Sequence, residues 1–159
     1  MNLRTERPED AEAIRSLLTA AFETDVEARL VEALRASDAW LPGLSVVGEV
    51  DGRVVAHALF SRIEVGSAPA LALGPVAVLP EEQRRGLGAA VITEGLRLAT
   101  AAGERLVLVL GDPAYYRRFG FVPAAPYKIS SPWSDLGDAW QVLVLAGTEA
   151  VYPGPWHEL

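Results

Sequence analysis

The stretch from Leu79 to Val91 reads LPEEQRRGLGAAV and places two arginines directly before a glycine-rich helix start. The N-terminal end of a helix carries roughly +0.5 of an elementary charge, so cations at Arg84 and Arg85 are each disfavoured by about 0.3–1 kcal/mol. Two arrangements would remove this conflict. Either Glu81 and Glu82 neutralise the arginines locally, or an anion binds at the turn.

The glycines of this turn favour the anion. Gly86 and Gly88 carry no side chain where the backbone must approach a ligand. A glycine-rich turn that leads into a helix presents unpaired N–H groups and the positive dipole end together, which suits a pyrophosphate. A P-loop would continue with Lys and Ser or Thr, where this chain has Ala89 and Ala90, and a dinucleotide fingerprint would need a third glycine at Val91. A plain tight turn is the alternative.

The segments on either side of the turn predict strands that alternate with helices. Apolar residues recur at helical spacing in some segments and alternate or run continuously in others. In chain order the prediction is a strand at 1–4, helices from about Pro8 and from about Val26, strands at 44–50, 53–65 and 70–78, a helix to about Ala102, a strand at 105–111, a short helix from Asp112 to about Phe119, and a strand at 140–146.

Local residue chemistry indicates how these strands connect. Asp51-Gly52 is a strong signal for a tight hairpin. Gly74-Pro75 cannot sit in a regular central ladder, which predicts a bulge or a splayed edge. The continuous apolar run at 105–111 is typical of a strand buried on both faces. The predicted fold class is therefore α/β, an α+β mixed central sheet flanked by helices in one layered domain.

Each long helix has an apolar stripe that is predicted to face the core. Gly103 is expected to end the third helix, and Asp112 to cap the short helix that Pro113 begins. The stripes are Ile14, Leu17, Leu18 and Phe22 in the first helix, Val26, Leu30 and Leu34 in the second, and Leu87, Val91, Leu98 and Ala102 in the third.

The composition limits the classes of function. A chain of 159 residues that is 50% apolar suits one domain over residues 1–159. The net charge of −7 argues against a nucleic-acid partner. No apolar run approaches the ~18 residues of a membrane span, and the charged N-terminus does not resemble a signal peptide, so a cytoplasmic location is expected. The chain has no cysteine and only His57 and His157, so no metal site is expected.

Two stretches carry a resemblance to a known family. Val76–Pro80 followed by Gln83–Ala89 resembles the GNAT (general-control-nonderepressible-related) N-acetyltransferase signature, Gln/Arg-x-x-Gly-x-Gly/Ala at a helix start. Tyr116–Phe121, YRRFGF, looks like the second landmark of that superfamily. The fuller phrases LGPVAVLPEEQRRGLG and LGDPAYYRRFGF are similar to a bacterial branch of predicted acetyltransferases whose acceptors are mostly unassigned. The order of strands and helices agrees over nearly the whole chain.

The resemblance implies acetyl-coenzyme A (acetyl-CoA) as donor and CoA as product. Backbone groups of Val76, Ala77 and Val78 would pair with the pantetheine arm as if it were an added strand. The pyrophosphate would be held by N–H groups of the turn, namely those of Arg84, Arg85, Gly86, Leu87, Gly88 and Ala89.

The chemistry that the resemblance implies is direct attack by an amine in a ternary complex, and the lack of a cysteine to carry an acyl intermediate agrees with it. By the resemblance, Tyr116 occupies the place of the general acid, five residues before Phe121. A tyrosine pKa near ~10 and a thiol pKa near ~8.5 suit that role. Tyr115 is the competing candidate, and packing beneath Phe119 and Phe121 is the structural alternative for both tyrosines.

The general base and the acceptor stay open. Glu27 and His57 are candidate substrate-side residues, Glu64 is conceivable, and a water chain would also serve. A solvated helix face is the alternative for Glu27, and a packing role is the alternative for His57. The aromatic side chains that would either wall an acceptor site or pack in the core are Trp133, Trp140 and Trp156.

The expected acceptor is a primary amine of a small molecule or peptide, since the acidic balance favours steering of a cation. Two rival functions remain: a non-catalytic acyl-CoA-binding sensor or assembly module, and an unrelated anion-binding domain that shares only the glycine turn. The oligomeric state is open, and a homodimer is among the options.

Overall fold

The computed structural model describes residues 1–127 and 134–145. Short 3-10 helices at Pro8–Asp10, Pro80–Glu82 and Arg117–Phe119 precede or follow the longer elements. The strands and α-helices are β1 (Asn2–Thr5), α1 (Ala11–Phe22), α2 (Val26–Arg35), β2 (Ser45–Val50), β3 (Arg53–Val65), β4 (Ala68–Val78), α3 (Leu87–Ala101), β5 (Leu106–Leu110), α4 (Pro113–Tyr116), β6 (Val122–Pro123) and β7 (Trp140–Val144).

The seven strands form one mixed sheet in the order β1-β2-β3-β4-β5-β7-β6. Strand β4 pairs with β5 in parallel, whereas β1–β2, β2–β3, β5–β7 and β6–β7 are antiparallel pairs. The predicted class, a mixed sheet flanked by helices, is confirmed. The two-residue strand β6 was not predicted, because Val122 and Pro123 are too few to show a pattern.

The hairpin between β2 and β3 has the predicted turn. Asp51 and Gly52 both have positive φ angles, 52° and 78°, as a type I′ turn requires. Val50 then pairs with Arg53 at the start of the ladder. The register shifts between Gly48 and Glu49, which gives β2 a bulge that the sequence did not predict.

The chain forms two compact units, of which the first comprises residues 1–61 and 74–99. Its core packs α1 and α2 on one face of the strands, with Ile14, Leu17 and Leu18 almost completely buried. The stripe predicted for α2 is wrong in part: Val26 and Leu30 are 57% and 48% exposed.

The buried face of α2 consists of Ala28 and Val31, with Leu34 partly buried beside them. Successive helix residues are rotated by about 100°, so the face through residues 28 and 31 lies about 150° from the face through residues 26 and 30. Leu34 lies at the shared edge of the two faces. Phe22 of α1 is likewise 37% exposed.

Helix α3 also buries a different stripe from the predicted one. Val91 is buried as expected, and Ile92, Gly95 and Ala99 complete the face. Leu98 is only partly buried, and Ala102 is exposed beyond the helix end. The small residues allow close approach: a Cβ added at Gly95 would lie 2.1 Å from Cε1 of Phe60.

The second unit comprises residues 62–73 and the described residues from 100 onward. Its strand β5 is buried from Leu106 to Val109, as the continuous apolar run predicted. The parallel ladder pairs Leu71 with Val107 and Leu73 with Val109. These pairs lie before Gly74, whose φ is 145° and whose peptide bond to Pro75 is cis.

None of the helices in the described part of the chain combines the length and the apolar character needed to span a bilayer. Within residues 1–127 and 134–145, no group of three or more His, Asp or Glu side chains is arranged to hold a metal ion.

Candidate functional site

The end of β4 and the residue after it present one buried and one partly exposed face. Ala77 and Leu79 are 4% and 5% exposed and belong to the core of the first unit. Val76 and Val78, which alternate with them, are only partly buried. The carbonyl oxygen of Val78 accepts a hydrogen bond from Nε2 of Gln83 at 3.1 Å. This bond ties the glycine turn to the end of the strand.

The turn from Gln83 to Gly86 is built from unusual backbone conformations. Arg84 has a φ of 68° and Gly86 a φ of 77°, so both lie in the left-handed region. For a residue other than glycine, this region costs roughly 1–2 kcal/mol. Local strain of this kind is concentrated at ligand sites, where the surrounding structure maintains it. No local pattern in the sequence indicates that Arg84, rather than a glycine, adopts this conformation.

The Gln83 N–H donates to the Pro80 carbonyl at 3.4 Å, but the N–H groups that follow it in the turn have no partner among the described residues. In the described part of the chain, none of the amides from Arg84 to Ala89 donates to a backbone carbonyl, and the first that does is Ala90, to the Gly86 carbonyl at 3.0 Å. The start of α3 therefore presents several N–H donors together with the positive end of its dipole. This arrangement can bind an anion of two linked phosphates.

The two arginines differ in their partners. Arg85 donates from Nη1 to Oε2 of Glu82 at 3.1 Å, and Glu81 pairs instead with Arg53 at 3.3 Å. Arg84 has no ion-pair partner among the described residues. The acidic residues before the turn thus neutralise Arg85 alone, and the Arg84 side chain remains exposed and free for a ligand.

In the second unit, the short helix α4 positions two tyrosines. The Asp112 side chain accepts a hydrogen bond from the Ala114 N–H at 3.0 Å, which confirms the predicted cap, and Pro113 follows as the first helical residue. The rings of Tyr115 and Tyr116 meet edge to face with centroids 5.0 Å apart. Tyr116 also packs against Phe121 at 5.8 Å.

The surroundings of the two tyrosines shift the pKa values of their phenols to different extents. Burial raises the pKa of Tyr116 to about 12, and the neighbouring Tyr115 contributes to the increase. Burial also raises the pKa of Tyr115, but the Arg118 guanidinium opposes this effect. That guanidinium lies 4.5 Å from the Tyr115 ring centroid. Tyr116 is therefore the more deeply enclosed phenol and stays protonated at neutral pH.

The candidate base residues lie in three separate places. Glu27 is partly exposed in the first turn of α2 and accepts a hydrogen bond from the Thr24 hydroxyl at 3.2 Å. Glu64 is exposed on β3. His57 is fully buried beneath the helices of the first unit, so its ring has no surface from which to contact an acceptor. The position of His57 therefore fits a packing role, which was the alternative to contact with a substrate.

His57 belongs to a buried polar chain that the sequence did not predict. Its Nε2 lies 2.8 Å from Oγ of Ser45, whose hydroxyl donates to Oε1 of Glu6 at 2.6 Å. Oε2 of Glu6 accepts from Nε of Arg35 at 2.9 Å. Because the Ser45 proton is directed to Glu6, His57 donates from Nε2, and its Nδ1 has no partner among the described residues.

Complete burial lowers the pKa of His57 to about 3, and the positive charge of Arg35 adds to the effect. The Glu6 carboxylate at 4.0 Å would favour the charged imidazole. However, Ser45 and Arg35 already compensate that carboxylate, so desolvation dominates. His57 is therefore neutral in the folded protein.

Of the three candidate tryptophans, Trp140 is 6% exposed and packs in the core of the second unit. Trp133 and Trp156 lie outside the described residues. Core packing is thus the role that the structure supports for Trp140.

A cavity of about 620 Å³ lies in the first unit beside α1 and the β2–β3 hairpin. Its charged lining is internally paired: Arg4 binds Asp10 at 2.6 Å and Glu49 at 2.7 Å. None of the residues expected to bind the donor lines this cavity. We therefore assign the candidate site to the turn and not to this cavity.

Comparison with known proteins gives consistent results. Residues 11–121 match the family model described as acetyltransferase (GNAT) family. The uncharacterized N-acetyltransferase YhbS of Escherichia coli K12 is 37% identical over 148 residues, covering 92% of this chain and 88% of YhbS.

Two solved structures resemble the fold closely. A GNAT family acetyltransferase from Brucella melitensis in complex with acetyl-CoA has a TM-score of 0.76 and 36% identity, covering 97% of this chain and 96% of that one. YhbS from Escherichia coli in complex with CoA has a TM-score of 0.83 and 35% identity, covering 91% and 81%. These similarities confirm the fold class that the sequence predicted.

Proposed function

Because this chain belongs to the acetyltransferase (GNAT) family, we propose that it transfers the acetyl group of acetyl-CoA to a primary amine of a small molecule or peptide. The amine attacks directly in a ternary complex. The observation that carries the proposal is the row of unpaired amides from Arg84 to Ala89. It is supported by the acetyl-CoA and CoA bound to the similar Brucella and Escherichia proteins.

The donor-binding residues follow from the turn and β4. The N–H groups of Arg84, Arg85, Gly86, Leu87, Gly88 and Ala89 would hold the pyrophosphate, and the Arg84 guanidinium would add charge. Backbone groups of Val76, Ala77 and Val78, which lie beyond the β4–β5 pairs at Leu71–Leu73, would pair with the pantetheine arm. An N–H of this segment would also stabilise the oxyanion.

When bound, acetyl-CoA supplies the acetyl group as a thioester. The neutral amine nitrogen forms a bond to the carbonyl carbon, the carbon–sulfur bond breaks, and its electron pair leaves on sulfur. The amine gives one proton to solvent or to a base that we do not assign. The products are the N-acetylated amine and CoA.

Tyr116 is the group that we assign to the leaving sulfur. Its pKa of about 12 lies above the ~8.5 of a thiol, so complete proton transfer to a thiolate is unfavourable. The phenol acts instead as a protonated hydrogen-bond donor that stabilises the developing charge on sulfur. Loss of one preorganised donor to a developing negative charge costs about 10²–10³-fold in kcat.

The proposal treats residues 1–159 as a single catalytic domain that works in the cytoplasm. The net charge of −7 supports steering of a cationic amine to the protein. Glu27, partly exposed in the first turn of α2, is the substrate-side carboxylate we retain as a candidate. His57 is fully buried, so we do not retain it as a residue that contacts the acceptor.

Two measurements test the function. Acetyl-CoA at about 100 times its dissociation constant should stabilise the fold by ~2.7 kcal/mol, which corresponds to roughly 5–11 °C in melting temperature. Thiol release with a panel of amines then tests catalysis, with Tyr115→Phe as the matched control for Tyr116→Phe. Stabilisation without thiol release from any amine would favour a non-catalytic sensor. No stabilisation would contradict donor binding.

A further inference from the structure

Gly111, between β5 and α4, has no backbone reason to be glycine. Its φ is not among the positive values that other glycines of the chain adopt. The constraint is spatial, because a Cβ added at Gly111 would lie 2.4 Å from Cε2 and 3.1 Å from Cδ2 of Tyr116. The Tyr116 ring therefore rests directly on the backbone of Gly111, in the space that any side chain would occupy.

Two hydrogen bonds hold the backbone of Gly111. One involves Gln141 of β7, and the other involves Ala139, the residue that precedes β7. Its N–H donates to the Ala139 carbonyl at 2.9 Å, and its carbonyl accepts from Nε2 of Gln141 at 3.2 Å. Gln141 is only 1% exposed, although it carries an amide in the middle of an apolar strand. A buried amide is costly unless it is hydrogen-bonded. The hydrogen bond to the Gly111 carbonyl thus gives this buried amide a partner.

The Tyr116 ring, which is partly buried, also makes aromatic contacts. Phe121 meets the ring at an interplanar angle of 77°, and Tyr115 meets it at 89°. The Asp112 cap fixes the first turn of α4, from which Tyr116 projects. The ring is therefore held between these aromatic edges and the bare Gly111 backbone.

We propose that Gly111 and Gln141 are positioning residues that seat the Tyr116 ring and so fix where its hydroxyl lies. This inference rests on the proposed role of Tyr116 in acetyl transfer. Gln141 holds the Gly111 carbonyl, and the absent side chain at Gly111 lets the ring settle against the backbone. A displacement of about 1 Å at a catalytic group can cost ~10²-fold in rate.

The first test is kinetic. Gly111→Ala should lower kcat by about 10- to 100-fold, while KM for acetyl-CoA changes by less than about twofold. In a Tyr116→Phe background the same substitution should cause no further loss, because no hydroxyl remains to be misplaced. An equal loss of kcat in both backgrounds would overturn the proposal, since it would show a general structural defect.

The second test reads the ring directly and does not depend on catalysis. Tyrosine-labelled protein gives ring resonances by NMR, and the Tyr116 signal is the one that Tyr116→Phe removes. Gly111→Ala should move this signal, because the ring leaves its position beside Phe121. An unchanged signal would overturn the proposal. If the signal moves but Tyr116→Phe keeps the wild-type kcat, the catalytic role of Tyr116 fails while the seating of its ring stands.

Two further variants keep the test decisive. Gly48→Ala is the matched control, because its added methyl group meets only the flexible end of Met1 within 3 Å, and it should leave kcat unchanged. Gln141→Met removes the donor to Gly111 with little change of volume and serves if Gly111→Ala does not fold. It should move the same Tyr116 signal and lower kcat in the same background-dependent way. Failure of both effects would overturn the proposal.

Discussion

Arg85 forms an ion pair with Glu82 just before the start of α3, with 3.1 Å between Nη1 and Oε2. Its neighbour Arg84 has no such partner among the described residues and adopts the left-handed conformation, with a φ of 68°. The sequence places Arg84 and Arg85 side by side before a helix, but in the structure their side chains have different partners. Arg85 balances the local acidic residues, whereas Arg84 is available to an anion.

Replacement of Arg84 by glycine should change the affinity for acetyl-CoA without lowering the stability of the free protein. Arg84→Gly relieves a left-handed conformation worth roughly 1–2 kcal/mol, and the added freedom of the unfolded chain offsets part of it. We expect the free energy of unfolding without ligand to stay constant or rise slightly. Affinity for acetyl-CoA should fall about tenfold, because a charge-assisted contact is lost. Chemical denaturation and calorimetric titration measure the two effects.

Arg85→Gly is the matched control. It removes an exposed ion pair and no left-handed residue, so it should not stabilise the free protein. Wild-type affinity for acetyl-CoA in Arg84→Gly at low salt would contradict the assignment of Arg84 to the donor.

The raised pKa of Tyr116 makes a prediction about pH. A phenol with a pKa of about 12 remains protonated throughout the range in which an ordinary tyrosine, near ~10, begins to ionise. The value of kcat/KM should therefore show no loss from this group between pH 8 and about 10.5. The pH profile of wild type, compared with Tyr116→Phe, tests this. A fall in kcat/KM that is centred near pH 10 in wild type and absent in Tyr116→Phe would show that the phenol is not enclosed in the free enzyme.

His57 should make the fold sensitive to mild acid. Its pKa is about 3 in the folded protein and about 6.5 in the unfolded chain, so below pH 6.5 only the unfolded chain binds the proton. Stability that is present above pH 6.5 is therefore lost as the pH falls, by up to ~1.4 kcal/mol per unit. Urea unfolding at pH 7.5, 6.0 and 5.0 measures this loss.

The matched variant is His57→Gln, which cannot take up a proton. Carboxylates such as Asp10, whose pKa Arg4 lowers, remain in both proteins, so the difference between the two pH slopes isolates His57. Identical slopes in wild type and His57→Gln would contradict the neutral, enclosed imidazole.

The contact between Gly95 and Phe60 predicts an effect on stability alone. A Cβ at position 95 would lie 2.1 Å from Cε1 of Phe60, and the Phe60 ring is fully buried. Gly95→Ala should lower the free energy of unfolding by about 1–3 kcal/mol or more. Combination with Phe60→Leu should cost less than the sum of the single changes, because the contact is shared. Additive losses would contradict direct packing.

Much of the fold could be predicted because its signals are local. Asp51-Gly52 determines the hairpin through the φ angles of two adjacent residues, and Asp112 caps α4 through an atom two residues away. The run from Leu106 to Val109 identifies a buried strand from its own composition. Each of these features depends on neighbours in the chain, which the sequence shows directly.

The rest depends on contacts between distant residues. The buried face of α2 is decided by what packs on Ala28 and Val31, and the apolar Val26 and Leu30 misled the prediction. Ser45 holds His57 across 12 residues, and Gln141 reaches Gly111 across 30. Spacing in one sequence does not show such pairs, so the position of Tyr116 could be proposed but the residues that hold it could not.

The central claim is that the amides from Arg84 to Ala89 bind the diphosphate of acetyl-CoA, and a crystal structure with acetyl-CoA tests it most directly. In that structure, diphosphate oxygens should lie at hydrogen-bond distance, ~2.7–3.2 Å, from several of these backbone nitrogens, and Arg84 should keep its positive φ. A donor that binds elsewhere, while these amides turn to acceptors within the protein, would contradict it.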